Sequence, residues 1–325
     1  MKNNDLMIVI LSYIRKVISL IYSNNKEYRI KNRKVDYYDQ DASDQIKKLL
    51  EGDKPCMIAR FGSIELDTIH FYKKTQNNIL SRYLNYMLSD VNELTWSDNL
   101  KFRMQNNTGF FPATNESLNR FSELVIEDIK NLDILGSWLS KEKTFKKELK
   151  SVKSIRLGDM VPFIRNHPWS SALENKNVLI IHPFDESIEK QFLNRKAIFK
   201  NKETLPDFNL ITYKPIQSFA GNYKNLEFNS WFEALEKMKD DIMKIDFDIA
   251  ILGCGSYGFT LASFIKDLGK KSVHLGGATQ LLFGIIGKRW ENEYDMKYLI
   301  NDNWIRPNIN ERPQNFQSIE NGCYW

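Results

Sequence analysis

Residues 247–268 read FDIAILGCGSYGFTLASFIKDL, and this stretch decides the fold. An apolar strand pattern over Phe247 to Leu252 leads into a glycine-rich turn, and a helical pattern follows from Gly258 to Leu268. Short buried strands that alternate with helices are typical of parallel sheets with helices on both faces. The stretch therefore predicts one strand–turn–helix unit of an α/β domain.

The same alternation continues through the second half of the chain. The pattern predicts strands at 177–182, 208–214 and 272–275, and it predicts helices at 186–199 and 230–245. We therefore expect an α/β fold whose parallel, Rossmann-like sheet is flanked by helices.

The first half combines one clear strand, Cys56–Ala59, with several helices. Four segments have helical patterns: 40–52, 64–73, 78–105 and 115–132. We expect one domain over 36–325, in which 36–175 is an N-terminal motif and helical part and 176–325 is the Rossmann-like nucleotide-binding part.

Composition excludes several classes of protein. The chain has 325 residues and is 42% hydrophobic, which is enough for a large core. Its three cysteines have no CxxC spacing, so we expect neither a disulfide framework nor a structural zinc site, and we expect a cytoplasmic location. The net charge is +5, but residues 1–35 hold eight Lys or Arg against two acidic residues. The rest of the chain is close to neutral, which argues against a nucleic-acid partner.

The basic segment 1–35 begins with an apolar stretch. Residues 6–22 are mostly apolar, but Arg15 and Lys16 interrupt them, which argues against a membrane-spanning helix. An amphipathic helix followed by the cationic residues 26–34 fits contact of residues 6–34 with the inner face of the plasma membrane. The alternative is a helix packed on the body of the protein or on a second subunit of a homo-oligomer.

Residues 58–67, IARFGSIELD, form the turn that follows the first strand. Gly62 suits a turn, Ser63 suits a helix cap, and Glu65 and Asp67 suit the first turn of a helix. These features alone indicate a strand-to-helix turn. Ligands of open parallel sheets, however, bind beyond the carboxyl ends of the strands. The candidate site residues are therefore Arg60 and Glu65, with Gly62 and Ser63 as candidate donor-binding residues.

A second turn, Gly253-Cys254-Gly255-Ser256-Tyr257-Gly258, matches the pattern GxGxxG and opens a helix. Backbone amides at such a helix start can hold a phosphate. The motif lies late in the chain, and Leu275 and Gly276 stand where a dinucleotide site places an acidic residue. We therefore expect phosphate or nucleotide binding by Gly253, Gly255, Ser256, Tyr257 and Gly258, with a purely structural turn as the alternative.

Other strand ends add polar and cationic candidates. His182 follows one strand, and Gly276, Gly277 and Gln280 follow another. Lys288 and Arg289 are expected to provide the cationic wall of a diphosphate site, with Trp290 as a stacking surface. In the structural alternative, His182 is hydrogen-bonded core and Lys288-Arg289 is a solvated end.

The usual hydrolase and P-loop motifs are missing. The sequence contains no GxSxG, HExxH or Walker A pattern. Carboxylates, glycine turns and basic residues suit the transfer of a group from a nucleoside diphosphate.

Several motifs resemble those of the GT-D-type glycosyltransferases. The family motif Arg-Phe-Gly-Asp-Gly-Glu is similar to residues 60–65, and bacterial polysaccharide-cluster proteins have similar strand ends and termini. The similar segments here are His182-Pro183-Phe184, Gly253–Gly258, Gly276–Gly284 and Gly322-Cys323-Tyr324-Trp325.

This resemblance implies a nucleoside-diphosphate sugar donor, a UDP-sugar above others, and an Asp-x-Glu motif for the donor and a Mn²⁺ or Mg²⁺ ion. Glu65 and Arg60 match the family motif and are the expected catalytic residues, with Glu65 as the metal ligand. Ser63 replaces the aspartate, which weakens a divalent site. Asp67 is the candidate substitute, although residues two apart on a helix point about 200° from each other.

We therefore expect a glycosyltransferase that transfers a sugar to a hydroxyl of a glycan or a lipid-linked acceptor. Two alternatives remain at this point. One is a non-catalytic nucleotide-sugar-binding scaffold, and the other is an NAD-dependent oxidoreductase.

Overall fold

The computed structural model describes residues 10–18, 34–75, 79–88, 91–292 and 298–325. Its strands are β1 (Cys56–Ala59), β2 (Ile134–Ser137), β3 (Lys153–Arg156), β4 (Asn177–Ile181), β5 (Asn209–Tyr213), β6 (Ile249–Leu252) and β7 (Lys271–His274). Within the described residues they form one sheet in the order β3-β2-β1-β7-β6-β4-β5. All neighbouring strands are parallel.

Helices cover both faces of this sheet. They are α1 (10–18), α2 (Asp39–Glu51), α3 (Ser63–Thr75), α4 (Ile79–Met87), α5 (Asp98–Asn107), α6 (Asn115–Asp128), α7 (Asp185–Leu193), α8 (Arg195–Ile198), α9 (Trp231–Ile242), α10 (Tyr257–Asp267), α11 (Thr279–Leu282) and α12 (Lys288–Asn292). In the described part of the chain, none of them has the length and apolar character needed to cross a membrane.

The sheet separates two hydrophobic cores, because alternate side chains of a strand point to opposite faces. In β1, Met57 and Ala59 enter one core, which contains side chains of α3, α6, α9 and α10. Cys56 and Ile58 enter the other core, which contains side chains of α2, α7 and α11. The predicted α/β fold, with a parallel sheet flanked by helices, is therefore confirmed.

Two strands and two helix breaks differ from the sequence-based prediction. The pattern does not predict β2 or β3, because β2 contains Gly136 and the ends of the edge strand β3 are exposed. The helix predicted at 78–105 is divided into α4 and α5, and Ser97 caps the second of these by accepting a hydrogen bond from the Leu100 N–H at 3.2 Å. The helix predicted at 186–199 is divided at Asn194.

The two predicted parts of the domain share the sheet. Strands β1 to β3 come from 36–175 and β4 to β7 from 176–325, and the two sets meet where Ile58 pairs with Val273. The part predicted as mainly helical therefore supplies three strands. As a result, the carboxyl ends of β1, β7, β6 and β4 are neighbours.

Candidate active site

A cavity of about 320 Å³ opens at the carboxyl edge of the sheet. Four adjacent strands end there, and its lining includes Arg60 after β1, His182 after β4, Gly253 after β6 and Gly276 shortly after β7. Open parallel sheets bind ligands at this edge, where the order of strand addition reverses. The volume lies at the lower end of the range for small-molecule sites.

The turn after β1 brings a positive charge to the cavity. Strand β1 ends at Ala59 and α3 begins at Ser63, and Arg60 lines the cavity between them. The guanidinium carbon of Arg60 lies 5.1 Å from the ring centre of Trp138. A side-chain carbon built on Gly276 would lie 3.5 Å from Arg60 Nη1. Arg60 therefore lies where the turns after β1, β2 and β7 approach one another.

Trp138, just after β2, forms an aromatic part of the cavity wall. Its indole N–H donates to the Phe61 carbonyl oxygen at 3.0 Å, which orients the ring, and 44% of the residue is exposed. Trp290, the predicted stacking residue, is instead buried against Tyr324, with ring centres 5.9 Å apart, and it does not line the cavity. Of Trp138 and Trp290, Trp138 is therefore the ring that a ligand in the cavity can reach.

Glu65 lies in the first turn of α3 and lines the same cavity. Its carboxylate folds back over Gly62, where any side-chain carbon would collide with Oε2. Desolvation raises the pKa of the Glu65 carboxyl, while hydrogen bonding to its own backbone N–H and the charge of Arg60 act in the opposite direction. Glu65 is thus a carboxyl group that lies near the positive charge of Arg60 and has an increased affinity for protons.

Asp67 does not share this location. It lies outside the cavity lining and pairs with Lys141 at 2.6 Å and with Arg103 at 3.4 Å. Ser63 does line the cavity, but a hydroxyl stands there in place of a carboxylate. Among the described residues, no group of three or more His, Cys, Asp or Glu side chains is arranged to hold a metal ion, so Glu65 belongs to no such group there.

Two buried histidines face the cavity in opposite tautomers. Burial lowers the pKa of both His182 and His274 to about 3, so both rings are neutral at neutral pH. His182 Nδ1 accepts from the Phe184 N–H at 3.0 Å, which leaves the ring proton on Nε2. His274 Nδ1 lies 3.2 Å from the Leu252 carbonyl oxygen and must donate to it, which leaves a lone pair on Nε2. The site therefore contains one ring donor and one ring acceptor.

The GxGxxG turn is divided between the cavity and the core. Gly253 and Gly255 line the cavity, whereas Ser256, Tyr257 and Gly258 do not. The backbone N–H and the hydroxyl of Ser256 both donate to the Thr108 carbonyl oxygen. The Tyr257 ring stacks on Trp231 with centres 5.0 Å apart.

Gly258 has a packing function. A side-chain carbon at Gly258 would lie 2.6 Å from His274 Nδ1 and even closer to Cε1 of that ring. The structure thus places three of the five residues predicted for phosphate binding in packing contacts, outside the cavity lining.

The segment near residue 324 closes one side of the cavity. A side-chain carbon on Gly277 would lie 2.7 Å from Tyr324 Cε1, so only glycine fits there without movement. Gln280 donates through Nε2 to the carbonyl oxygens of Tyr324 and Ile285. Gly276, Gly277 and Gln280 all line the cavity, as do Tyr324 and Trp325.

Arg289 brings another positive charge to the wall. It donates through Nη1 to the Tyr324 hydroxyl at 3.1 Å and pairs with Glu320. Burial raises the pKa of the Tyr324 phenol, and the charge of Arg289 opposes that shift. Lys288, by contrast, is exposed and lies outside the lining.

Sequence reasoning missed several residues of the lining. His274 ends a predicted strand as His182 does, so its position was an available signal. Trp138 had no such signal, because β2 was not predicted. Glu320 and Tyr324 come from a segment without regular secondary structure, whose place over the cavity depends on its packing against Gln280 and Arg289. The signal for Tyr324 was its place in the terminal segment of the family resemblance, which assigned it no role in the site.

Comparison of the chain with protein-family models, with curated proteins and with solved structures found no match to any of them. A functional interpretation therefore depends on the geometry and chemistry of the cavity.

Proposed function

We propose that this protein is a glycosyltransferase. It would move a sugar from a nucleoside-diphosphate sugar, a UDP-sugar above others, to a hydroxyl of a glycan or lipid-linked acceptor. The observation that carries the proposal is that Arg60, Arg289 and Glu65 line one cavity at the carboxyl edge of a parallel sheet. Nucleotides bind at this edge in related architectures. Membership of the GT-D-type family is part of the proposal and is supported by the resemblance of residues 60–65 to its motif.

In this proposal the two arginines hold the diphosphate of the donor. A guanidinium group presents planar N–H donors that match phosphate oxygens. Gly276 and Gly277 allow the backbone to approach the ligand closely. The exposed face of Trp138 offers a stacking surface for the base or the sugar. As the bond to the leaving group breaks, Arg60 and Arg289 stabilise the negative charge that grows on the diphosphate.

We assign Glu65 the role of proton acceptor. The acceptor hydroxyl attacks the anomeric carbon, its proton passes to the Glu65 carboxylate, and the bond from that carbon to the diphosphate oxygen breaks. The electron pair of the broken bond leaves on the diphosphate. A carboxylate with a raised pKa is the stronger base for this step. His182 donates a hydrogen bond and His274 accepts one, which suits the hydroxyl groups of a sugar.

Mn²⁺ or Mg²⁺, the ions that the family resemblance implies, fit this site poorly. Ser63 replaces one carboxylate, and Asp67 is held by Lys141 and Arg103 away from the cavity. A magnesium site commonly uses one or two carboxylates together with substrate phosphates, so Glu65 alone is a minimal set. No step of the proposal passes through a metal ion.

Incubation with a panel of UDP-, GDP- and CMP-sugars, with and without Mn²⁺, tests the proposal. Thermal shift measures binding, and release of the nucleoside phosphate measures turnover. We expect one donor to raise the melting temperature and to be hydrolysed slowly in the absence of an acceptor. A panel that produces neither a shift nor hydrolysis would contradict the transferase proposal.

The same panel separates the alternatives. Binding of a donor without turnover, even when the acceptor is supplied, would favour a nucleotide-sugar-binding scaffold. Bound NAD detected by absorbance after purification would favour an oxidoreductase. The glycosyltransferase proposal requires turnover that depends on Glu65 and Arg60.

A further inference from the structure

Helix α1 presents a side of exposed apolar residues. Four of its large side chains are exposed: Ile10, Tyr13, Ile14 and Val17. Each helical residue advances by about 100°, so these four side chains fall within an arc of about 100°. This spacing places a continuous apolar stripe along one side of the helix.

The opposite side of α1 is attached to the protein through Arg15. Its guanidinium group donates to Asn92, to Oδ1 at 2.8 Å and to the backbone oxygen at 3.1 Å. The same group lies 4.7 Å from the ring centre of Tyr86, which packs against the core. These contacts orient α1 so that its apolar stripe faces away from the body.

Helix α4 and the residue after it present a second apolar stripe. Leu80, Leu84 and Leu88 are spaced four residues apart, and about half or more of each is exposed, up to 78% for Leu80. Tyr86, on the other side of the helix, packs against the core and against Arg15. Seven of the fifteen exposed large apolar side chains of the described residues thus belong to α1 and to 79–88.

The sequence around α1 is rich in cations, of which Arg15, Lys16 and Lys34 lie within the described residues. Lys16 is exposed on α1, and residues 1–35 carry eight Lys or Arg against two acidic residues. Exposed apolar side chains among cations suit a bilayer surface with anionic headgroups, which takes up both kinds of group. A symmetric contact between two copies would bring like charges together, because the same patch is used on both subunits.

We propose that the exposed side chains of α1 and 79–88 together form a docking surface for an anionic lipid bilayer. The apolar stripes enter the interface between headgroups and acyl chains, and the exposed Lys16 contacts the headgroups. Of residues 6–34, for which we expect membrane contact, 6–9 and 19–33 lie outside the described residues. The inference extends that expected contact to a second element, α4. It does not depend on the glycosyltransferase proposal.

Co-sedimentation with phosphatidylcholine vesicles, with and without phosphatidylglycerol, tests this surface. The full chain is compared with the double variant Leu80→Glu/Leu84→Glu and with the single variant Ile14→Glu. Leu193→Glu is the matched control, because Leu193 is 85% exposed on α7 and lies outside the proposed surface. All four proteins are also compared in melting temperature and in mass in solution.

We expect the parent and the Leu193→Glu control to pellet with phosphatidylglycerol-containing vesicles and to be released by salt. The α4 double variant is expected to bind these vesicles at least about tenfold more weakly, since each buried methylene contributes about 0.8 kcal/mol. Ile14→Glu should weaken binding in the same direction.

Three outcomes would overturn the inference. The first is unchanged vesicle binding by the α4 double variant, and the second is an equal loss in the Leu193→Glu control. The third is that the parent protein does not bind vesicles but forms a dimer, and that the α4 substitutions dissociate this dimer. Donor binding and turnover are measured on the same proteins. The absence of donor binding and turnover would then contradict the glycosyltransferase proposal without affecting the result of the vesicle assay.

Discussion

Two glycine-containing turns of this protein differ in how many of their residues face the cavity. The turn after β1, residues 60–65, presents Arg60 and Glu65 to the cavity. The turn after β6, residues 253–258, matches a known phosphate-binding pattern, yet its last three residues are used in packing. The turn with the stronger sequence pattern thus has fewer groups available for a ligand.

The physical reason is that a polar group already satisfied within the protein gains little from a ligand. The hydroxyl of Ser256 donates to Thr108 and accepts from the Trp231 indole N–H. The carboxyl group of Glu65 is desolvated, and the hydrogen bond that opposes the rise of its pKa comes from its own backbone N–H. A pattern match therefore indicates a binding site only when the groups in the turn are still available.

The largest effect is expected from Glu65→Gln. If the turn after β1 performs the chemistry, loss of the proton-accepting carboxylate should lower kcat by about a thousandfold, within the usual range for general-base catalysis. Asp67→Asn is the matched control, because Asp67 is ion-paired outside the cavity and should change kcat little. Steady-state kinetics, with the donor that the sugar-nucleotide panel selects, measures kcat of both variants. Equal losses in the two variants would contradict the assignment of Glu65.

The pH dependence of stability gives an independent test of the same side chain. Because the pKa of Glu65 is raised in the folded protein, the folded state binds more protons than the unfolded state between the two pKa values. The contribution of Glu65 to stability therefore falls as pH rises through that window. Glu65→Gln should be at least as stable as the parent at neutral pH, and the advantage should vanish at acid pH. Urea unfolding of both proteins at several pH values measures this difference in the free energy of unfolding.

A somewhat smaller effect is expected from Arg60→Ala. Removal of one charge-stabilising donor typically costs about 100-fold to 1,000-fold in rate, or about 3 to 4 kcal/mol. Arg60→Lys should recover part of that rate, since it keeps the charge but loses the planar fork. Arg103→Ala, in which the lost cation lies outside the cavity lining, is the control. If Arg60→Ala and Arg103→Ala had the same rate, the proposed role of Arg60 in stabilising the leaving group would be wrong.

The turn after β6 should respond in stability. Gly258→Ala places a methyl group against the His274 ring, and overpacking of this kind costs about 1 to 3 kcal/mol. Gly158→Ala is the control, because nothing lies within 4 Å of a side-chain carbon at Gly158. Urea unfolding is expected to show the loss in the first variant alone. If the Gly258→Ala protein were as stable as the parent but no longer bound the donor, the turn after β6 would be a ligand-binding turn and not mainly a packing turn.

The smallest effect is expected from Ser256→Ala. The Trp231 indole N–H would lose its acceptor in the core, at a cost of about 1 to 2 kcal/mol in the free energy of unfolding. The KM for the donor should not change, since the Ser256 hydroxyl lies outside the cavity lining. A raised KM with unchanged stability would show that this turn binds phosphate after all.

Much of the site follows from the fold class, because the carboxyl ends of parallel strands share one edge. This rule alone brings Arg60, His182, Gly253 and Gly276 together, and the structure places all four in one cavity. It cannot decide which side of a helix or turn faces that cavity. Asp67, Lys288 and the last three residues of the GxGxxG turn therefore lie outside the cavity lining, although all of them are within three residues of a lining residue in the sequence.

The sequence by itself determined the alternation of strand and helix and the residues at most strand ends, because both are local patterns of apolar side chains. Only the tertiary structure decided that β2 adds Trp138 to the site and that Tyr324 closes it, since these contacts join distant parts of the chain. It also decided that Gly258 makes room for His274. Local pattern specifies which elements form, and long-range packing specifies which groups remain available to a ligand.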